Sequence, residues 1–117
     1  MKPVLLAITV LTDGHRAQIA QSFELLYAPE PAQAFEAIAR HGARVQAVLT
    51  IGSIGLSAAQ MDALLQLQLV CALGAGYENI DLAHARGRGI ALANGAGTND
   101  DCVADHTWGL LIAAQRR

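Results

Sequence analysis

The stretch "CALGAGYENID", Cys71 to Asp81, decides how this chain folds. Leu69–Leu73 is an apolar run of strand length, and it passes straight into Gly74-Ala75-Gly76. A polar segment follows. Asp81 then stands in capping position before Leu82–Arg88, which Gly87 and Gly89 bring to an end. Strand, glycine loop and helix in that order form the repeating unit of a parallel α/β sheet. What the glycine loop holds is the question for function.

A dinucleotide loop needs three glycines and an acidic residue at the end of the next strand. Gly74 and Gly76 supply two glycines, but the third position is Asn79 and the next strand ends in Ala93-Asn94. The second pair, Gly95-Ala96-Gly97, places Asp100 at the third position, where a carboxylate repels phosphate. Neither is a phosphate loop. Backbone N–H groups left unshielded at the carboxyl edge of a sheet form an anion-binding concavity, and a carboxylate is its natural ligand where no cationic side chain is near. The plainer alternative is that these glycines only permit positive φ in a tight turn. The residues alone leave both open.

The same unit recurs on either side of this stretch. Val4–Val10 is a continuous apolar strand, Arg16–Gln21 a short helix and Phe23–Tyr27 a second strand. Pro31 suits the first position of a helix over Ala32–His41, whose shared face is Ala34, Phe35, Ile38 and Ala39 and whose stop is Gly42. Val45–Thr50 makes the third strand. Ser57-Ala58-Ala59-Gln60 is a capping box opening a helix through about Leu67, with Met61, Leu64 and Leu65 as its buried stripe. After strand four, Leu69–Leu73, and the helix Leu82–Arg88 comes strand five, Ile90–Ala93. A final helix runs from about Asp101. The sum is an α/β fold: a flavodoxin-like five-stranded parallel sheet, order 2-1-3-4-5, with helices on both faces and a C-terminal apolar linker helix. In such a sheet the loops 11–14, 51–56, 74–80 and 94–100 meet at one edge, where ligands bind.

Composition narrows the function classes. A chain of 117 residues, 53% hydrophobic and 15% charged, forms one compact domain and is not disordered. A net charge of −2 gives no electrostatic case for nucleic acid or an anionic membrane. The longest apolar run, 108–114, is too short to span a bilayer, so a cytoplasmic protein is expected. Cys71 and Cys102 form no CxxC pair and are expected as buried thiols of a reducing compartment. A phospho-receiver domain is excluded by Thr50 at the end of strand three and by the absence of any Lys beyond Lys2. A flavodoxin would want a hydroxyl-rich loop after strand one, and Thr9–Gly14 resembles that only loosely.

The run "GAGYENIDLAHARGRGIALANGAGTNDDCVADHTWGLLIAAQRR" resembles the D-isomer-specific 2-hydroxyacid dehydrogenases, particularly their glyoxylate/hydroxypyruvate reductase branch. The likeness is strong over Leu69–Arg117 and softer, but in register, from Met1 to Thr50. It implies a substrate-binding lobe over 1–97, then over 98–117 a hinge and the first helix of a nucleotide-binding domain that would lie beyond Arg117. It also implies that the loop at Ala75-Gly76 holds the substrate carboxylate by backbone N–H groups and that the loop at Ile51-Gly52 lines the same cleft. Asn99, Asp100 and Val103 would stand near the cofactor, although relatives often carry Thr or Ser where this chain has Asp100.

The family's chemistry is hydride transfer from NAD or NADP cofactors to small 2-keto acids, giving D-2-hydroxy acids. Its catalytic Arg and His fall beyond residue 117, so no catalytic residue is assigned within this chain. The isolated chain is accordingly expected to bind no cofactor, to be inactive as a reductase and to hold small carboxylates weakly. His15, His41, His84 and His106 are expected at surface or packing positions, and Asp13 as a turn or cap residue. No metal site is expected. Between Thr107 and Gln115 the last helix has almost no polar face, and it is expected to pack against another copy of the chain or to swap between copies. A reading from another class is a stand-alone carboxylate-binding or interaction module without catalysis.

Overall fold

The computed structural model describes residues 2–74 and 76–94. Ala75 and residues 95–117 lie outside the described residues, and with them the hinge, Cys102, His106, the C-terminal helix and its pairing. Among the described residues five strands alternate with four helices: β1 (Val4–Ala7), α1 (Asp13–Ala20), β2 (Glu24–Tyr27), α2 (Pro31–His41), β3 (Ala47–Ile51), α3 (Ala58–Ala63), β4 (Leu69–Leu73), α4 (Leu82–Gly87) and β5 (Ala91–Asn94). A 3₁₀ turn, Gly42–Arg44, follows α2. All pairings are parallel and the strand order is β2-β1-β3-β4-β5, as the alternation of elements leads one to expect.

Burial falls from the centre of the sheet to its edges. β1 is wholly buried and β3 nearly so, whereas β5 is exposed along its length. One face carries the larger core: Leu6, Val48, Met61, Leu64 and Val70 meet there beneath α2, α3 and α4. The other face joins Leu5, Ala7, Leu11, Ala47 and Leu49 under α1, with Ile19 and Phe23 at its margin. Helices thus cover both faces.

Several expectations change in detail. β1 ends at Ala7, and Val10 is exposed because it lies past the last strand pairing. α1 starts at Asp13, three residues early. Its cap is Thr12, whose hydroxyl accepts the His15 N–H, while Asp13 sits in the first turn and pairs with Arg16. In α2, Ala34 is buried, but Phe35 is 78% exposed and Ala39 is also exposed. The helix turns its Ala34–Ala37–Ile38 side to the sheet, which rotates Phe35 outward.

Gly42 does stop α2, but at φ −54°, within the ordinary helical region. It is required for a different reason: a Cβ there would lie 2.6 Å from the Ala63 carbonyl oxygen, so only glycine lets the ends of α2 and α3 meet. The capping box at Ser57 forms as read, with Gln60 N–H donating to the Ser57 hydroxyl and Ser57 N–H to Gln60 Oε1. α3 stops at Ala63, four residues early. Leu64 turns away from helical geometry, so Leu65 is 70% exposed and Leu67 takes its place in the core. The Arg88 guanidinium donates to the Met61 and Leu64 carbonyls at that break, beside the backbone N–H groups of Leu64 and Leu67 that the same carbonyls accept.

Candidate functional site

Every strand of a parallel sheet ends on one edge, so the loops after β1, β3 and β4 are neighbours. In the described residues the last two are clasped. Asn79 is the buckle: its N–H donates to the Gly52 carbonyl at 3.2 Å and its side-chain amide to the Ser53 carbonyl at 2.8 Å. Its own carbonyl accepts the Leu56 N–H at 3.1 Å, and Leu56 and Ile80 form a parallel bridge beside it. The turn inside the first loop is closed by Gly55 N–H to the Ile51 carbonyl, and the buried Thr50 hydroxyl donates to the Gly55 carbonyl at 2.9 Å.

Two glycines make this clasp possible for different reasons. Gly55 has φ +69°, and a Cβ there would lie 2.0 Å from the Asn79 carbonyl oxygen. Gly52 has no such backbone demand, but a Cβ on it would lie 2.7 Å from the carbonyl carbon of Gly76. Among the described residues of the second loop, Gly74 has a positive φ, +79°. The turn reading therefore holds for Gly74. At Gly76 the atom nearest to the space a side chain would take is Glu78 Oε2, 2.7 Å from where its Cβ would be.

Of the substrate residues expected from the sequence, Ile51, Gly52 and Gly76 come together at this edge. Ala75 lies outside the described residues, as do the cofactor candidates Asn99, Asp100 and Val103. Sequence reading missed Asn79, Gly55, Thr50 and Glu78. From the sequence Asn79 reads only as the residue at the third position of a dinucleotide loop, and Glu78 only as part of the polar segment before the helix cap.

The loop after β4 does not fit a pyrophosphate. The first turn of α4 is already capped by the Asp81 carboxylate, which accepts the His84 N–H at 3.0 Å, and Glu78 adds a second carboxylate over Gly76. Both would repel a diphosphate. A shallow depression beside this loop, bordered by Tyr77, Arg86, Leu92 and Asn94, reaches the last described residue.

The remaining polar groups are structural. His84 Nε2 meets Asp62 Oδ1 at 2.6 Å and ties α4 to α3. Arg16 stacks over the Tyr27 ring, 4.7 Å from its centroid, and the Tyr27 hydroxyl accepts the Leu11 N–H. His15 is exposed in the first turn of α1, and His41 closes α2. Cys71 is only half-buried, against expectation, and burial pushes its thiol above the usual range. Among the described residues no cluster of His, Cys, Asp or Glu could hold a metal, and no helix is long and apolar enough to cross a membrane.

A five-stranded parallel α/β domain with a glycine-built cleft at the carboxyl edge defines the class. Residues 6–115 match the D-isomer specific 2-hydroxyacid dehydrogenase, catalytic domain family, and the chain belongs to it. It is 29% identical to a glyoxylate reductase of Thermococcus kodakarensis over all of its own length and 35% of the relative's. It is 30% identical to a 2-ketogluconate reductase of Gluconobacter oxydans over 98% of this chain and 36% of that protein. The structure of a 2-hydroxyacid dehydrogenase from Ketogulonicigenium vulgare superposes with a TM-score of 0.85 at 28% identity, covering 97% of this chain and 36% of that one. The chain spans about a third of the length of the relatives it matches.

Proposed function

We propose that this chain is the substrate-binding lobe of an NAD(P)-dependent oxidoreductase that reduces small 2-keto acids to D-2-hydroxy acids, and that the chain alone carries no reductase activity. The loop at Ala75 and Gly76 holds the substrate carboxylate through backbone N–H groups, and Ile51 and Gly52 line the same cleft. The observation that carries this reading is the approach of Gly52 to Gly76, where a Cβ would come within 2.7 Å of backbone, at the ligand-binding edge of a sheet from this family. Two loops brought that close by glycine carry no side chain of their own at the contact, which leaves their backbone dipoles open to a small anion. Reduction of the keto group also needs a hydride, supplied by the nicotinamide, and a proton donor. The side chain nearest the space over the two glycines is the acceptor-only Glu78, which when ionised offers neither.

Calorimetric titration of the purified chain with glyoxylate tests the assignment. The wild type is expected to bind weakly and Gly52→Val to lose at least about ten-fold in affinity, because a side chain there drives the loops apart. Unchanged binding by Gly52→Val removes these loops as the site. The same preparation, given glyoxylate with NADH or NADPH, is expected to leave the cofactor absorbance unchanged.

A further inference from the structure

Glu78 stands at the centre of the cleft and forms no hydrogen bond or ion pair among the described residues. Its Oε2 lies 2.4 Å from the position a Cβ would take on Gly52 and 2.7 Å from that on Gly76. One carboxylate oxygen therefore fills the room that both missing side chains leave. A side chain at either glycine would displace it. The two glycines bring the loops together, and they also make space for an anionic group folded back between them.

We infer that Glu78 is a specificity-determining residue of this cleft: its carboxylate occupies the space over Gly52 and Gly76, so a substrate carboxylate enters only as Glu78 swings out, and a second negative charge on the ligand is penalised. The inference rests on the reading of these loops as the carboxylate site. Its physical basis is simple. An ionised glutamate is an acceptor with nothing to donate, so it cannot share a hydrogen with another carboxylate. Like charges about 4 Å apart near a protein surface repel strongly enough to change an affinity about ten-fold or more. Glu78 is exposed, so its rotation away from the loops is sterically open. The cleft is thereby set for small monoanions, with a neutral group on the Glu78 side.

The test is a titration of wild type, Glu78→Gln, Glu78→Ala and Gly52→Val with glyoxylate and with 2-oxoglutarate, at low and at physiological salt. Both Glu78 variants are expected to bind glyoxylate about ten-fold more tightly than wild type, and to gain more for the dianionic 2-oxoglutarate. The gain should shrink as salt screens the charge. A group that helped to bind substrate would give the opposite sign on removal. If Gly52→Val loses binding while both Glu78 variants bind as wild type or more weakly, the inference falls and the loop assignment stands. If no protein of the set binds either acid, both fall.

Discussion

On one face of the sheet three helices close over Leu6, Val48, Met61, Leu64 and Val70, all fully buried. On the other, α1 is the one helix among the described residues; it buries none of its own residues and reaches the cluster through Ile19, leaving Cys71 half-buried and Leu73 exposed on β4. The strands are no less apolar on the second side. β4 alternates so that Val70 and Ala72 enter the large core while Leu69, Cys71 and Leu73 point to the thinner one. What differs is the covering layer, and this shows that strand hydrophobicity sets the capacity for burial while packing sets how much of it is realised.

Three perturbations sharpen that contrast. Leu6→Ala empties the centre of the covered face and is expected to cost about 3 kcal/mol in a denaturant melt, within the range of buried leucine truncations. A loss below about 1 kcal/mol would mean that the three-helix face is not the stabilising one. Arg88→Ala keeps that face apolar but removes the guanidinium from the Met61 and Leu64 carbonyls. It is expected to cost about 1–2 kcal/mol, with faster amide exchange in α3 as the local signature.

The smallest effect belongs to the thinner face, where Cys71→Ala is expected to cost under about 1 kcal/mol because little enclosed packing is lost. The Cys71 thiol gives the same contrast a pH signature. Burial raises its folded pKa, so at a given pH less thiolate is present than in the unfolded chain. Alkylation of native Cys71 should therefore lag behind the unfolded control and catch up only as pH rises beyond the ordinary thiol range.

How legible the site was follows the same division between local and distant causes. β4 is found where its apolar run places it, and the Ser57–Gln60 box forms, because strand pattern and capping are settled within a few residues. The placing of Ile51, Gly52 and Gly76 on one edge follows from topology alone. Glu78 was not legible, since nothing in its neighbours says that it folds back over two glycines, one of them 26 positions upstream. Asn79 was missed for a like reason. Its amide is satisfied by Ser53 across the clasp, a partner visible only once β3 and β4 are adjacent. Gly42 shows another limit: its place as the stop of α2 was legible, but the demand for glycine there comes from Ala63 in another helix and not from its own φ.

The amino-acid sequence by itself determined the order of the elements, the parallel sheet with strands 2-1-3-4-5 and the edge on which the glycine loops gather. Those depend on short-range signals and on the connections an alternating chain allows. Tertiary structure alone decided which apolar residues are inside, since Phe35, Leu65 and Val10 lie open while Leu67 is buried. It also decided that Gly52 and Gly76 touch and that Glu78 fills the space between them. Burial and close approach are properties of pairs of elements, and each pair's rotation and spacing is set by side chains far apart along the chain.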